Sequence, residues 1–211
     1  GHYDGARRKD YVDLFSWRYT NPGDLEEYAL EQEQLPMEQQ KPAVICEYNH
    51  AMGNSSGVLS AYWELFRKHR NLQGGFIWDF VDQALYDPAD GRSSGPNGLP
   101  AFRYGGDFGD QPNDGSFCMN GLFMADRAPS PQIHEVLRTH QDVHATLIEA
   151  SPEGVRLELY NERFFTDTGD LRWVWQLTRD GEAIEEGSVD RLVIGPQERR
   201  VLALSFDTEV S

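Results

Sequence analysis

The chain has 211 residues, 35 acidic and 19 basic, and a formal net charge of −16 at pH 7. A field of this sign repels phosphate backbones and anionic lipid surfaces, which argues against nucleic acids and membranes as partners. No uninterrupted apolar run is long enough to span a membrane. The two cysteines, Cys46 and Cys118, lie in apolar surroundings without C-x-x-C pairing, so free thiols and a cytoplasmic location are expected.

The first third of the chain predicts two strands around a helix. Val12, Leu14 and Phe15 indicate a short strand that ends near residues 16–19. A polar stretch rich in Glu and Gln follows, with a surface helix expected over about residues 25–34. Residues 42–47 are then continuously apolar up to a glutamate, which is typical of a strand buried on both faces of a parallel sheet.

A helix and a further strand complete a βαβ unit. Asn54 or Ser55 is expected to cap the helix VLSAYWELFRKHR, which has one apolar stripe and a basic last turn. The apolar run 76–78 predicts a second buried strand. Strand, helix and strand in this order predict parallel pairing through a crossover helix.

The second half of the chain changes character. Residues 86–116 are rich in Gly, Pro, Asp and Asn, and a loop of this length inside a domain is usually functional. From about residue 141 the apolar period becomes two, and Asp180-Gly181 indicates a hairpin. Four or five strands are expected there, which is fewer than the roughly seven of a complete antiparallel sandwich.

Glu47 is the most informative residue, because barrel enzymes place catalytic groups where buried parallel strands end. The alternative is a structural salt bridge between this carboxylate and an arginine. The neighbours favour a site: residues 48–50 are Tyr-Asn-His, and Trp78-Asp79 ends the next strand. Since adjacent strands are about 5 Å apart, these groups are expected to surround one crevice.

Such a set of side chains suits glycoside hydrolysis, which needs two carboxylates beside the scissile bond. An indole offers an apolar platform for the C–H face of a sugar, and histidine can hydrogen-bond its hydroxyls. Asp79 fits the second carboxylate by pattern, but consecutive strand residues point to opposite sides. We therefore favour Trp78 at the site and Asp79 as a structural acceptor, so that Glu47 is the one carboxylate this chain supplies.

Five motifs in matching order and spacing resemble the large β-galactosidases of glycoside hydrolase family 2: VICEYNHAMGNSSG, YWELF, LQGGFIWDFVDQAL, YGGDFGDQPNDGSFCMNGL and ADR. The similarity continues more weakly into NERFFTDTGDLRWVWQLTRDG. It implies an α/β fold in which residues 1–138 form the C-terminal part of a TIM (β/α)8 barrel. Residues 139–211 would form part of an all-β immunoglobulin-like sandwich.

The resemblance also implies roles for single residues. Glu47 would be the nucleophile of a retaining reaction on terminal β-D-galactosides such as lactose, through a covalent galactosyl-enzyme. Tyr19 would hydrogen-bond this nucleophile and help its departure; relatives usually carry Met-Tyr where this chain has Arg18-Tyr19. His50 would orient sugar hydroxyls, and Trp78 would form the floor of the galactosyl pocket.

Two metal ions follow from the resemblance as well. The Phe117 carbonyl and the Asn120 side chain resemble ligands of a sodium ion that meets the galactose 6-hydroxyl, and oxygen ligands suit a hard cation. In the family, the acid/base glutamate, the magnesium ligands and an aspartate of the sodium site lie upstream, and none can be placed here. The chain is therefore expected to be a fragment of a homo-oligomeric enzyme. Alone it should be poorly folded and inactive on a nitrophenyl galactoside unless it is complemented.

Two other functions remain open. Another family 2 specificity, such as β-glucuronidase, would use the same scaffold, but those relatives generally lack the long YGGDFGD…FCMNG stretch. A non-catalytic carbohydrate-binding or assembly module around residues 139–211 belongs to a different class. Trp173 and Trp175 share one strand face there, so they are expected to pack in a core rather than bind sugar.

Overall fold

The computed structural model describes residues 11–86 and 101–208. The part of the predicted long loop from residue 87 to residue 100 lies outside the described residues. The chain divides into two compact units, Gly1–Thr139 and His140–Ser211.

The first unit contains a three-stranded parallel sheet. Its elements are β1 (Phe15–Arg18), α1 (Pro22–Glu33), β2 (Ala43–Tyr48), α2 (Leu59–Lys68), β3 (Leu72–Ile77), β4 (Leu85–Tyr86), β5 (Phe102–Arg103) and α3 (Ile133–Thr139). The strand order is β1-β2-β3 with parallel neighbours, while β4 and β5 pair antiparallel. The predicted βαβ unit is confirmed, and β1 with α1 adds a second one. No closed barrel is present within residues 11–86 and 101–139.

The helices pack on the sheet through one apolar core. Asn21 caps α1, because its side chain accepts a hydrogen bond from the Asp24 backbone N–H at 2.8 Å, and Pro22 begins the helix. Side chains of α1, α2, α3 and the sheet then meet in a buried cluster, which consists of Phe15, Leu25, Tyr28, Ala29, Ala43, Ile45, Tyr48, Ala51, Leu59, Tyr62, Leu65, Leu72, Leu122, Ile133 and Val136.

The predicted cap of α2 is wrong. The helix begins at Leu59 after Val58, which has a left-handed φ of 62° and makes no side-chain capping bond. Ser55 instead donates its hydroxyl hydrogen bond to the carbonyl of His50. The serine side chain therefore holds the preceding loop rather than the helix.

An extra residue in β2 decides which side chains reach the core. Ala43 and Ile45 are buried on the helix-covered face, so a strict period of two would send Glu47 to the same face. The pairing with β1 instead shifts by one residue, so that Arg18 lies opposite Glu47. Such a β-bulge redirects the following side chains. Tyr48, only 1% exposed, takes the next core position, and Glu47 faces the other side.

The second unit is all-β. It contains β6 (Val143–Ser151), β7 (Gly154–Asn161), β8 (Trp173–Arg179), β9 (Glu182–Val189) and β10 (Arg199–Ser205). The strands form an antiparallel sheet of order β10-β7-β6 and a separate β8-β9 hairpin. The predicted hairpin turn is confirmed, since Asp180 and Gly181 both have positive φ. These five strands do not make up a complete sandwich, which stays a prediction.

Neither Cys46 nor Cys118 forms a disulfide, as the sequence predicts. Within the residues that the structure describes, no helix has the length and apolar character needed to cross a membrane.

Candidate active site

The carboxyl ends of the three parallel strands bring the predicted site residues to one edge of the sheet. Backbone hydrogen bonds continue past the strands: the Tyr19 N–H donates to the Glu47 carbonyl at 2.8 Å, and the Trp78 N–H to the Tyr48 carbonyl at 3.1 Å. The Ala51 N–H returns to the Trp78 carbonyl at 2.8 Å. This edge is where barrel enzymes place their catalytic groups.

Two side chains from the end of β1 contact the carboxylate of Glu47. The Tyr19 hydroxyl donates a hydrogen bond to it, and the Arg18 Nη1 atom lies 3.5 Å from Oε1. The Glu47 side chain is 19% exposed and that of Arg18 is 51% exposed. The sequence left open that Glu47 forms a structural salt bridge with an arginine. Such a contact is present, but it is a single long one, and the Arg18 guanidinium that makes it is half-exposed.

Tyr19 is held as a neutral hydrogen-bond donor. Burial raises the pKa of its phenol well above the usual range, and the hydrogen bond and negative charge of Glu47 raise it further. The residue has a left-handed φ of 56°, which is unusual for a tyrosine. The backbone of the next residue, Thr20, is held in place, because the buried Tyr62 hydroxyl donates a hydrogen bond to its carbonyl at 2.6 Å.

His50 belongs to the same group of side chains. Its ring centroid lies 5.9 Å from that of Tyr19 in an edge-to-face arrangement. On its other side the ring of Phe117 stacks at 5.5 Å, with 25° between the planes. The structure thus brings Tyr19, Glu47, His50 and Phe117 together.

The loop that carries His50 is closed by side-chain bonds that the sequence did not reveal. The Asn49 Nδ2 donates to the Ser56 carbonyl at 3.2 Å, and the Ser56 hydroxyl donates back to the Asn49 carbonyl at 3.1 Å. Gln132, just before α3, donates to the carbonyls of Ala51 and Gly53. A single polar residue before a helix gives no sequence signal for such a role.

Phe117 and Asn120 are adjacent, as a shared cation would require. The Asn120 Nδ2 lies 3.3 Å from the Phe117 carbonyl oxygen, and Asn120 is 3% exposed. The Asn120 Oδ1 is buried and has no hydrogen-bond partner among the described residues. A buried amide oxygen without a hydrogen-bond partner suits a hard cation such as sodium. No group of three His, Cys, Asp or Glu suited to other metals occurs within residues 11–86 and 101–208.

The segment around Asn120 is joined by backbone hydrogen bonds to the residues that follow β3, next to Trp78. The Asp79 N–H donates to the Asn120 carbonyl at 2.8 Å, and the Leu122 N–H donates to the Asp79 carbonyl at 3.0 Å. The Asp79 Oδ2 accepts from the Gln83 Nε2 at 2.5 Å, while its Oδ1 is buried without a partner in the described part of the chain. The Trp78 side chain stays partly open, with the residue 38% exposed.

Comparisons with known proteins identify the family of this chain. The profile of the glycosyl hydrolases family 2 TIM barrel domain matches residues 2–145, and that of beta-galactosidase domain 4 matches residues 157–210. A beta-galactosidase of Priestia megaterium is 42% identical over 208 residues, covering 97% of this chain and 19% of that protein. A beta-galactosidase of Aeromonas hydrophila is 43% identical over 164 residues, covering 78% of this chain and 15% of that protein.

The likeness to solved structures is weaker. A beta-glucuronidase of Bacteroides uniformis is 13% identical, with a TM-score of 0.37, over 93% of this chain and 23% of that one. A TM-score this low carries no argument. The chain spans about a fifth of the length of the Priestia relative. With the TIM barrel profile matching more than half of it, the chain belongs to glycosyl hydrolases family 2.

Proposed function

We propose that Glu47 is the nucleophile of a retaining glycosidase that acts on terminal β-D-galactosides. These residues would act within an enzyme of the length of the relatives, hereafter the full-length enzyme. The observation that carries the proposal is the carboxylate of Glu47, which the β2 bulge turns away from the core to meet Tyr19. The relatives named beta-galactosidase support the galactoside as substrate.

The reaction has two steps in this proposal. First, a Glu47 oxygen bonds to the anomeric carbon, and the bond to the aglycone breaks. The aglycone oxygen leaves with the bonding pair and takes a proton from an acid outside this chain. Second, water gives a proton to the same group and its oxygen bonds to the anomeric carbon, while the ester electrons return to Glu47. Two inversions at one carbon retain the configuration.

Tyr19 and His50 have separate roles in this scheme. The Tyr19 hydroxyl stabilises the negative charge that Glu47 regains when the sugar ester breaks, because a hydrogen bond to a charged oxygen is stronger than one to an ester. His50, held between the rings of Tyr19 and Phe117, is placed to bind sugar hydroxyls. Trp78 offers a half-open indole as the apolar floor.

Replacing Tyr19 with phenylalanine is expected to lower kcat of the full-length enzyme about 10- to 100-fold, since a hydrogen bond to a charged group contributes about 1.5–3 kcal/mol. The raised pKa keeps the phenol protonated at neutral and moderately alkaline pH. The alkaline limb of the pH–kcat profile should therefore be the same in both enzymes. Loss of that limb in Tyr19→Phe would contradict the role as a neutral donor.

The cation site is part of the proposal. Phe117, through its carbonyl, and Asn120, through Oδ1, would hold a sodium ion, with an aspartate from elsewhere in the full-length enzyme. Bound sodium would supply a positive charge that fixes a sugar hydroxyl. Magnesium, if present, would depend on ligands outside this chain. The chain itself contributes the rigid pairing of residues 79–82 with 120–123, which sets the position of the amide.

Replacing sodium with tetramethylammonium is expected to raise KM for a nitrophenyl galactoside about tenfold, or roughly 1.4 kcal/mol of binding. Asn120→Leu should show the high KM in both salts, because it removes the oxygen. Asn120→Asp keeps an oxygen at the same place and should still respond to sodium. The site would be refuted if the KM of the wild-type enzyme were the same with and without sodium. It would also be refuted if the KM of Asn120→Leu still fell when sodium was added.

The substrate class is tested by comparing galactoside and glucuronide hydrolysis by the full-length enzyme. A galactosidase releases nitrophenol from the neutral galactoside and leaves the glucuronide intact. Faster release from the glucuronide would replace the proposed specificity while leaving Glu47 as the nucleophile.

We also propose that residues 139–211 belong to a β-sandwich, because the strands β6–β10 pair antiparallel. The full-length enzyme would be a cytoplasmic homo-oligomer.

A further inference from the structure

The positively charged side chain of Arg18 lies beside the proposed nucleophile. Arg18 is the last residue of β1 and pairs directly with Glu47 in the register of the sheet. Its Nη1 atom is 3.5 Å from the Glu47 Oε1. The same extra residue in β2 that turns Glu47 away from the core brings it level with Arg18. The proximity is therefore built into the backbone rather than produced by a long side chain alone.

The contact contributes little to holding the fold together. The Arg18 side chain is 51% exposed, and the distance is at the long end of the hydrogen-bond range. Solvent screens pairs of this kind, so exposed ion pairs add little to stability. A charge beside a reacting carboxylate has more effect on the chemistry, because the charge on that carboxylate changes in each step.

We propose that Arg18 is a positioning residue that acts through Glu47 and favours the second step of the reaction over the first. The inference rests on the proposed role of Glu47 as nucleophile.

The direction follows from the charge on Glu47. In the first step the carboxylate becomes a neutral ester, so Arg18 stabilises the reactant more than the transition state and slows ester formation. In the second step the ester electrons return to the carboxylate, so Arg18 stabilises the charge that develops and speeds release. Tyr19 acts in the same direction through its hydroxyl, but it carries no charge.

The test measures the two steps separately in the full-length enzyme with 2,4-dinitrophenyl 2-deoxy-2-fluoro-β-D-galactoside. The rate of inactivation reports ester formation, and the rate at which activity returns after removal of the reagent reports ester hydrolysis. Arg18→Met removes the charge at similar length, Arg18→Lys keeps it, and Arg138→Met removes an exposed arginine from α3 as a control.

We expect Arg18→Met to recover activity about three- to fivefold more slowly than wild type, with inactivation unchanged or faster. Arg18→Lys and Arg138→Met should recover at close to the wild-type rate. Equal recovery in Arg18→Met, or a fall in both of its rates together, would overturn the proposal, since a merely structural role lowers both. A lysine variant that behaves like methionine would exclude charge as the cause.

Two controls distinguish these outcomes from unfolding of a variant and from failure of the proposed function. Arg18→Gln is measured alongside Arg18→Met, and each variant must melt at the wild-type temperature to count. A wild-type enzyme that is never inactivated by the reagent would refute the proposed function itself before any variant is compared.

Discussion

Replacing Glu47 with glutamine is expected to lower kcat of the full-length enzyme on a nitrophenyl galactoside by about 10⁴-fold or more. The amide keeps the size of the side chain but is a very weak nucleophile, so the covalent route closes. The fold should persist, because Glu47 faces away from the core cluster and Tyr48 fills the neighbouring core position. Initial rates and thermal melting of the same preparation measure both parts.

The matched control is Glu64→Gln, which changes an exposed glutamate of α2 and should leave kcat at the wild-type value. Glu47→Gly adds a second comparison, because it opens room for a small external anion. Sodium azide should then restore product formation and yield a galactosyl azide. If the Glu47→Gln enzyme kept a tenth or more of the wild-type kcat, its activation free energy would rise by no more than roughly 1.4 kcal/mol. The nucleophile would then be a different residue.

Replacing Gly121 with alanine is expected to destabilise the first unit by about 3 kcal/mol. An added Cβ would lie 2.1 Å from the Asp82 backbone nitrogen and 2.6 Å from the Phe123 carbonyl oxygen. These are backbone atoms, so no side-chain rotation relieves the clash. The thermal unfolding midpoint of the full-length enzyme should fall by several degrees, and KM for galactosides should rise, because Gly121 adjoins Asn120.

Gly57→Ala is the matched control for this clash. A Cβ at Gly57 has no atom within 4 Å, so the midpoint should stay at the wild-type value. If Gly121→Ala melted like Gly57→Ala, the close pairing of residues 120–123 with residues 79–82 would be wrong. The position of the proposed sodium ligands relative to Trp78 would then have to be revised as well.

Local patterns were sufficient to predict the βαβ unit. The apolar run that ends at Glu47 and the striped, C-terminally basic helix after it are properties of neighbouring residues, and α2 and β2 lie close to where they were expected. The start of β3 was less accurate. It begins at Leu72 rather than at Phe76, because the weakly apolar residues before Phe76 still pair with β2.

The orientation of Glu47 was not contained in a local pattern. Alternation from Ala43 and Ile45 alone directs residue 47 into the core, and the bulge that reverses this appears only when β2 is paired with its neighbours. Proximity of Glu47 to Tyr19 and His50 was expected from strand ends and from resemblance. The contact with Arg18 required the register.

Long-range side-chain contacts were equally hidden. Gln132 donates hydrogen bonds to the loop that carries His50, from about 80 positions further along the sequence. The periodicity of apolar residues does not predict such a bond. Val58, the residue before α2, has a left-handed φ that a valine rarely adopts, so a polar cap was the better expectation from the sequence. The Gln132 bonds hold the loop between β2 and α2 in place.

The most direct measurement is to inactivate the full-length enzyme with a 2-fluoro galactosyl reagent, digest it and sequence the labelled peptide by mass spectrometry. The carboxylate beside Tyr19 must carry the sugar, so the mass increase should fall on position 47, within VICEYNHAMGN. A label on Asp79 or on any other side chain would contradict the account at its centre.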